Sequence, residues 1–195
     1  GIPGDWRNQK AHGGGMVLDW GIHLLDQALR IGEGRKLISV YAELTNVTNE
    51  ECDDGFRVTL IFEGDLSMYV EVTTSNFIEL PRWYVLGENG SAVINDWDLN
   101  GEIVKVSDWE NRDAVPILAG VGLTKTMAPR TDDTIKHYPL PKVDSSWTQF
   151  YENVFAALRG EEEQLITHDQ QRRLLKLVDA IFESGNENKV VFFDK

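Results

Sequence analysis

Gly13-Gly14-Gly15-Met16-Val17-Leu18-Asp19-Trp20-Gly21-Ile22-His23-Leu24-Leu25-Asp26-Gln27-Ala28-Leu29-Arg30-Ile31-Gly32 carries two patterns at once. Its apolar members, Leu18, Ile22, Leu25 and Leu29 with Trp20, Leu24, Ala28 and Ile31, recur at helical spacing, and Gly32 with Gly34 supplies a stop. The stretch therefore predicts a helix from Met16 to Ile31. Its polar members, Asp19, His23, Asp26 and Arg30, fall at i, i+4, i+7 and i+11 and so share one narrow stripe. The rest of the circumference is too apolar for an open surface. Residues 1 to 15, ahead of the helix, hold glycine and proline at backbone-breaking places and read as loop.

Beyond the helix the period changes from helical to alternating. Ile38, Val40, Ala42 and Leu44 alternate with other residues, as do Val58, Leu60 and Phe62, then Met68, Val70, Val72 and Thr74. Glu63-Gly64-Asp65 joins two of these strands, Glu88-Asn89-Gly90-Ser91 separates Trp83-to-Gly87 from Ala92-to-Asn95, and Leu99-Asn100-Gly101-Glu102 precedes Ile103-to-Val106. Consecutive hairpins predict a largely antiparallel sheet. Tyr41, Ile61, Tyr69 and Val85 lie among polar residues on the alternate face, so helices on one side and a partner on the other would cover both. Residues 108 to 143, with Pro116, Pro129, Pro139 and Pro141, read as long loop apart from a short strand at Thr134 to Tyr138.

Helices return with Trp147, Phe150, Tyr151, Val154, Phe155 and Leu158 on one stripe, opened by Ser146 and stopped at Gly160. A further helix starts at Thr167, with Gln170 three residues on, and carries Leu174, Leu177, Val178, Ile181 and Phe182; a strand from Lys189 to Phe193 follows. The fold class is α+β: a predominantly antiparallel open sheet with helices packed on one face and the other face available for oligomerisation. No repeat and no dividing linker is visible, so residues 1–195 read as one domain.

The 195 residues suffice for a core without disulfide or metal staples. A net charge of −13 repels phosphate backbones and anionic lipid, and no apolar run spans a bilayer, so neither nucleic acid nor membrane is an expected partner. The lone Cys52 sits among acids in Asn49-Glu50-Glu51-Cys52-Asp53-Asp54, which raises a thiol's pKa instead of activating it, and a cytoplasmic location is expected.

Chemistry concentrates on the polar stripe. A carboxylate at Asp19, one turn before an imidazole at His23, can orient it for proton transfer near neutral pH, while a solvated face of helpful i, i+4 pairs is the plainer alternative. Three glycines before the helix permit close approach by a ligand or another domain. His12, Asp19 and His23 match no recognised metal-ligand spacing, and the glycines lack the strand and Gly-x-Gly-x-x-Gly context of a dinucleotide cradle. Trp6 and Trp20 could stack on sugar rings, and Arg7 and Lys10 could pair with an acidic or hydroxylated ligand.

Gly13 to Asp26 resembles the motif that opens the main helix of the C-terminal domain in the glucose-fructose oxidoreductase, inositol dehydrogenase and MocA (Gfo/Idh/MocA) family. Tyr84-Val85-Leu86-Gly87-Glu88-Asn89-Gly90-Ser91 is similar to that family's strand-turn-strand, and Trp147 to Gly160, Gln170 to Ser184 and the last strand to its closing elements. The resemblance implies an enzyme with an N-terminal Rossmann domain binding NAD or NADP, absent from this chain, and a C-terminal domain that contacts a sugar, polyol or related hydroxylated substrate. It places the acid/base pair at Asp19 and His23, and Asp26 at the acidic position that follows; with Trp6, Arg7, Lys10, Gly15 and Trp20, Asp26 completes the expected substrate contacts. The family's Glu-Lys-Pro lysine has no counterpart here, nor has the first strand of its C-terminal domain. The chain alone is therefore expected to be inactive, to bind no cofactor, and to form a homo-oligomer through its open sheet. The rival expectation is a non-catalytic sugar-binding or scaffold protein that keeps the fold.

Overall fold

The helix read at residues 16–31 begins with a π-helical turn, Val17–Gly21, which runs into α1, Ile22–Ile31. In the computed structural model, residues 4–110, 116–125 and 130–193 are described; the parts of the expected loops at 1–3, 111–115 and 126–129 lie outside the described residues. The chain divides into two compact units, Gly1–Phe77 with Trp147–Lys195, and Ile78–Ser146. The sequence shows no dividing linker because the second unit is inserted between elements of the first, so no single boundary separates them.

In the first unit, β1 (Leu37–Thr45), β2 (Gly55–Phe62) and β3 (Ser67–Thr73) pair antiparallel in chain order, as their alternation and the Glu63-Gly64-Asp65 turn predict. Gly64 and Asp65 both take positive φ, 74° and 59°, the tight-turn geometry that matches strand twist. The register aligns Val40, Leu60 and Met68 in one row and Ala42, Val58 and Val70 in the next, all on the same face. Val40, Ala42, Phe56, Val58 and Leu60 are each at most 1% exposed, in one core with Leu25, Ala28 and Leu29 of α1. The other helix of this core comes from residues 168–187, after the second unit in chain order. The opposite sheet face carries Tyr41, Thr59 and Tyr69 in one row and Glu43, Arg57 and Glu71 in the next; Tyr41, Ile61 and Tyr69 are exposed.

The second unit holds β4 (Trp83–Gly87), β5 (Gly90–Ile94) and β6 (Gly101–Val106), with β7 (Pro116–Ala119) and β8 (Gly122–Lys125) as a separate hairpin. β9 (Ile135–Pro139) adds to the edge of β6. Strands that read as one sheet thus form separate antiparallel sheets. The hairpin at 116–125 replaces part of the expected loop: Pro116 opens β7, a strand position that tolerates its missing N–H, so it does not break the strand.

The chain then returns to the first unit with α2 (Trp147–Leu158), α3 (His168–Glu187) and β10 (Val191–Phe192). The expected capping box opens α3: the Gln170 N–H donates to Thr167 Oγ1 (3.2 Å), and the Thr167 N–H to Gln170 Oε1 (2.9 Å). Leu174, Leu177, Val178 and Ile181 of α3 enter the core. β10 pairs with β1 only at Ser39 and Val40, so beyond its end Ser184 takes over: its Oγ accepts from the Ala42 N–H (2.8 Å) and donates to the Lys189 carbonyl (2.6 Å). The helix expected at Trp147 forms, but its apolar stripe is not in the core; only Asn153 and Ala156 of α2 are buried.

Candidate functional site

The glycine run is packed against its own chain. The Gly14 N–H donates to the Gln9 carbonyl (3.0 Å) and the Gly15 N–H to the Arg7 carbonyl (2.9 Å). A Cβ on Gly14 would stand 2.3 Å from the Arg7 oxygen, and one on Gly15, at φ +117°, 2.2 Å from Asp53 Oδ1. The close approach that the three glycines permit is therefore made by the loop and by Asp53.

Asp53 closes the helix start. Its carbonyl accepts from the Met16 N–H (3.0 Å), and its Oδ2 from the Val17 N–H (2.8 Å), at a residue only 7% exposed. A carboxylate on free N–H groups also meets the positive end of the helix. Burial pushes the Asp53 carboxyl above its ordinary range despite the opposing hydrogen bonds from Val17 and Met16. Asp54 goes the other way: burial raises it, but the N–H groups of Thr48 and Val47 and the hydroxyls of Thr48 and Thr45 outweigh that and hold it low. Beside them the Cys52 thiol is pushed up, by burial first and then by Asp53, as the acidic run predicts.

The sequence reading saw Asp53 only as a neighbour of Cys52. Its signal was an acidic pair immediately before the buried alternation of Phe56, Val58 and Leu60, where an acid entering a core needs a donor. The glycine-led N-terminus has its N–H groups engaged and its space filled by a carboxylate, so these residues do not fit a nucleotide phosphate.

The side chains expected at the site divide into groups. Arg7 links two of them: its guanidinium lies 4.6 Å over the Trp6 ring and its Nε donates to Asp19 Oδ1 (3.3 Å). Asp19 is therefore engaged by Arg7, and no bond joins it to His23. The reason is the π turn, whose wider winding takes Asp19 off the line that an unbroken α-helix would draw through His23, Asp26 and Arg30. His23, in the first turn of α1, is exposed and has no hydrogen-bond partner among the described residues. Asp26 accepts from Arg30 Nε (3.1 Å), and the two line, with Leu29, Glu33, Gln170 and Arg173, a cleft of about 20 Å³, room for one water. Trp20 is half exposed and Lys10 exposed, whereas Gly15 is buried in the loop packing. Among the described residues no group of three or more His, Cys, Asp or Glu could hold a metal ion, and no helix is long and apolar enough to cross a membrane.

Residues 2–93 match the family model of the GFO/IDH/MocA C-terminal domain. An NAD-binding protein from Listeria innocua is 45% identical, with a TM-score of 0.87 over 99% of this chain and 56% of its own. The scyllo-inositol 2-dehydrogenase (NADP(+)) IolW of Bacillus subtilis is 21% identical over 193 residues, 97% of this chain and 52% of that protein. The WlbA dehydrogenase from Bordetella pertussis, solved with NADH and UDP-GlcNAcA, shares the fold at 19% identity and a TM-score of 0.60, over 93% of this chain and 46% of its own. This chain spans about half the length of each. The helix-opening motif and residues 2–93 thus match the C-terminal domain of the Gfo/Idh/MocA family, and the whole chain shares its fold with the Listeria innocua protein.

Proposed function

We propose that this chain is the substrate-binding and acid/base half of a cytoplasmic NAD(P)-dependent oxidoreductase acting on a sugar, polyol or related hydroxylated compound. The observation that carries the reading is His23: an imidazole in the first turn of α1, exposed and without a hydrogen-bond partner among the described residues, four residues after an aspartate already held by an arginine. His23 takes the proton of the substrate hydroxyl on a ring nitrogen as the carbinol is oxidised, and returns it in reduction. Asp19, fixed by Arg7, accepts a neighbouring hydroxyl, and the Trp6 ring beneath Arg7 offers an apolar face for a sugar. Trp20, Lys10 and Asp26 complete the substrate contacts, and Gly15 seats the loop that carries Arg7.

NAD or NADP, bound by a Rossmann domain outside this chain, supplies the hydride acceptor. The match to a C-terminal domain and the uncovered half of the relatives' length favour an N-terminal place for that domain, and the glycine-led helix here, filled by Asp53, offers no phosphate cradle in its stead. A homo-oligomer through the sheet face of Tyr41, Ile61 and Tyr69 is part of the same proposal.

The test is His23→Ala in the full-length protein, assayed with NAD(P)⁺ and a panel of polyols. The expected result is a fall in kcat of about 10²-fold or more with cofactor affinity unchanged. An unchanged kcat overturns the catalytic assignment, and turnover or polyol binding that needs no nicotinamide favours the scaffold reading.

A further inference from the structure

α2 is amphipathic with its faces reversed. The side packed in this chain is polar and small: Asn153 Nδ2 donates to the Glu163 carbonyl (2.9 Å) and Glu162 Oε2 (3.1 Å), its Oδ1 accepts from the Leu165 N–H (2.9 Å), and Ala156 is 8% exposed. Roughly half a turn round the helix lie Trp147, Tyr151, Phe155 and Leu158. They are 91%, 59%, 60% and 79% exposed, and Phe150 meets Tyr151 edge to face at 5.3 Å. Four large apolar side chains along three turns form a contiguous patch that water alone does not stabilise.

We infer that this stripe of α2 is the docking surface for the part of the parent polypeptide by which the relatives exceed this chain, its nucleotide-binding half. Three observations choose this occupant. The relatives are nearly twice as long, since this chain covers 52% and 56% of two of them, so a partner of domain size is at hand in the same polypeptide. A second copy is disfavoured at this face by local charge: Glu161, Glu162 and Glu163 lie just past the end of the stripe, so two such rims repel. The same rim fits an apolar surface edged with lysine or arginine. Finally, no described helix or strand packs closely on α2. The inference rests on the proposed two-part enzyme only in needing the longer polypeptide.

The full-length gene product carrying the photo-cross-linker p-benzoylphenylalanine at Tyr151 tests it, with Trp147 as a second probe site should the first disturb folding. Irradiation followed by peptide mapping should give cross-links at the mass of one chain, to residues outside the 195 of this sequence, from Tyr151 and Trp147 but not from a probe at Glu152. Cross-linked species of twice the chain mass, cross-links to residues 78–146, or none from either site overturn the inference. Its failure is separable from that of the proposed function: intact mass no greater than this chain ends both, whereas the expected cross-links without nicotinamide-dependent turnover end only the latter.

Discussion

The first unit and the second are both antiparallel sheets joined by short turns, yet they are stabilised by different means. In the first, Leu177, Ile181, Val40, Leu60 and Leu25 are completely buried in one core. In the second, the only buried residue among those described is Thr134, at 2% exposure. What holds its side chains together lies at the surface: the Arg82 guanidinium 3.6 Å over the Trp97 ring, Arg130 4.9 Å over Trp109, and Glu102 against His137 at 2.7 Å. Such exposed cation–aromatic contacts contribute about 0.5–1 kcal/mol each, against about 1.5–3 kcal/mol for each fully buried large side chain. Strand alternation is thus a statement about local geometry; only the sequence partner of the sheet face decides whether it becomes a core.

The largest effect should come from the centre of the first unit. Leu177→Ala removes a side chain with no exposed surface and is expected to cost about 2–5 kcal/mol in denaturant unfolding. The matching change in the second unit, Ile103→Ala on half-buried β6, should cost about 1 kcal/mol or less. Equal costs would erase the contrast and mean that the second unit has a core of its own.

The comparison also explains what was legible. The helices, hairpins and the α3 capping box follow from local periodicity and turn chemistry, which need no knowledge of neighbours. The division into units did not, because Ile78–Ser146 is an insertion whose chain crossings carry no distinctive composition. The stripe of α2 forms at the expected spacing, but the expected packing of helices on one sheet face does not extend to it, since it stands exposed. At the site, Asp19, His23 and their helix were visible at fixed spacing, but the π turn between them was not, and its first N–H groups are held by Asp53, 34 residues after Asp19 and invisible to periodicity.

Asp53 is the next lever. Asp53→Ala should cost about 1–2 kcal/mol by removing the acceptor for the Val17 N–H. Its pH dependence has a definite sign. The folded chain holds the Asp53 proton more tightly than the unfolded chain, so between the ordinary carboxylate value and the raised one stability falls as pH rises; Asp54, held low, contributes stability that is present above the ordinary value and is lost as pH falls through its folded value. Asp53→Asn should therefore flatten the decline above about pH 4 and leave the acid-side loss from Asp54 intact. A variant whose stability curve from pH 3 to 7 overlays the parent's would remove Asp53 from the account.

A smaller effect, in the second unit, should be favourable. Leu99 takes φ 61° in the turn before β6, left-handed backbone that costs a leucine and suits asparagine, and 47% of its surface is exposed. Leu99→Asn should stabilise the second unit by about 0.5 kcal/mol, seen as slower amide exchange in β5 and β6 with β1 to β3 unchanged. Faster exchange there would mean that the leucine side chain matters more than its backbone.

The smallest expected effect belongs to His137, whose hydrogen bond to Glu102 Oε2, with Asp132 at 3.6 Å, raises the imidazole above its ordinary value. A raised histidine contributes stability that is fully present below its unfolded value near pH 6.5 and is lost as pH rises through the folded one. Because the pair is exposed, salt should weaken it, while the core of the first unit has no such sensitivity. Following the His137 ring protons by NMR across pH 5 to 9 should show a raised midpoint that moves toward the ordinary value in 1 M salt and in Glu102→Gln. A midpoint indifferent to both would mean that the pairing does not persist in solution. The second unit would then depend on its cation–aromatic contacts and strand pairing alone, sharpening its difference from a unit built on a core.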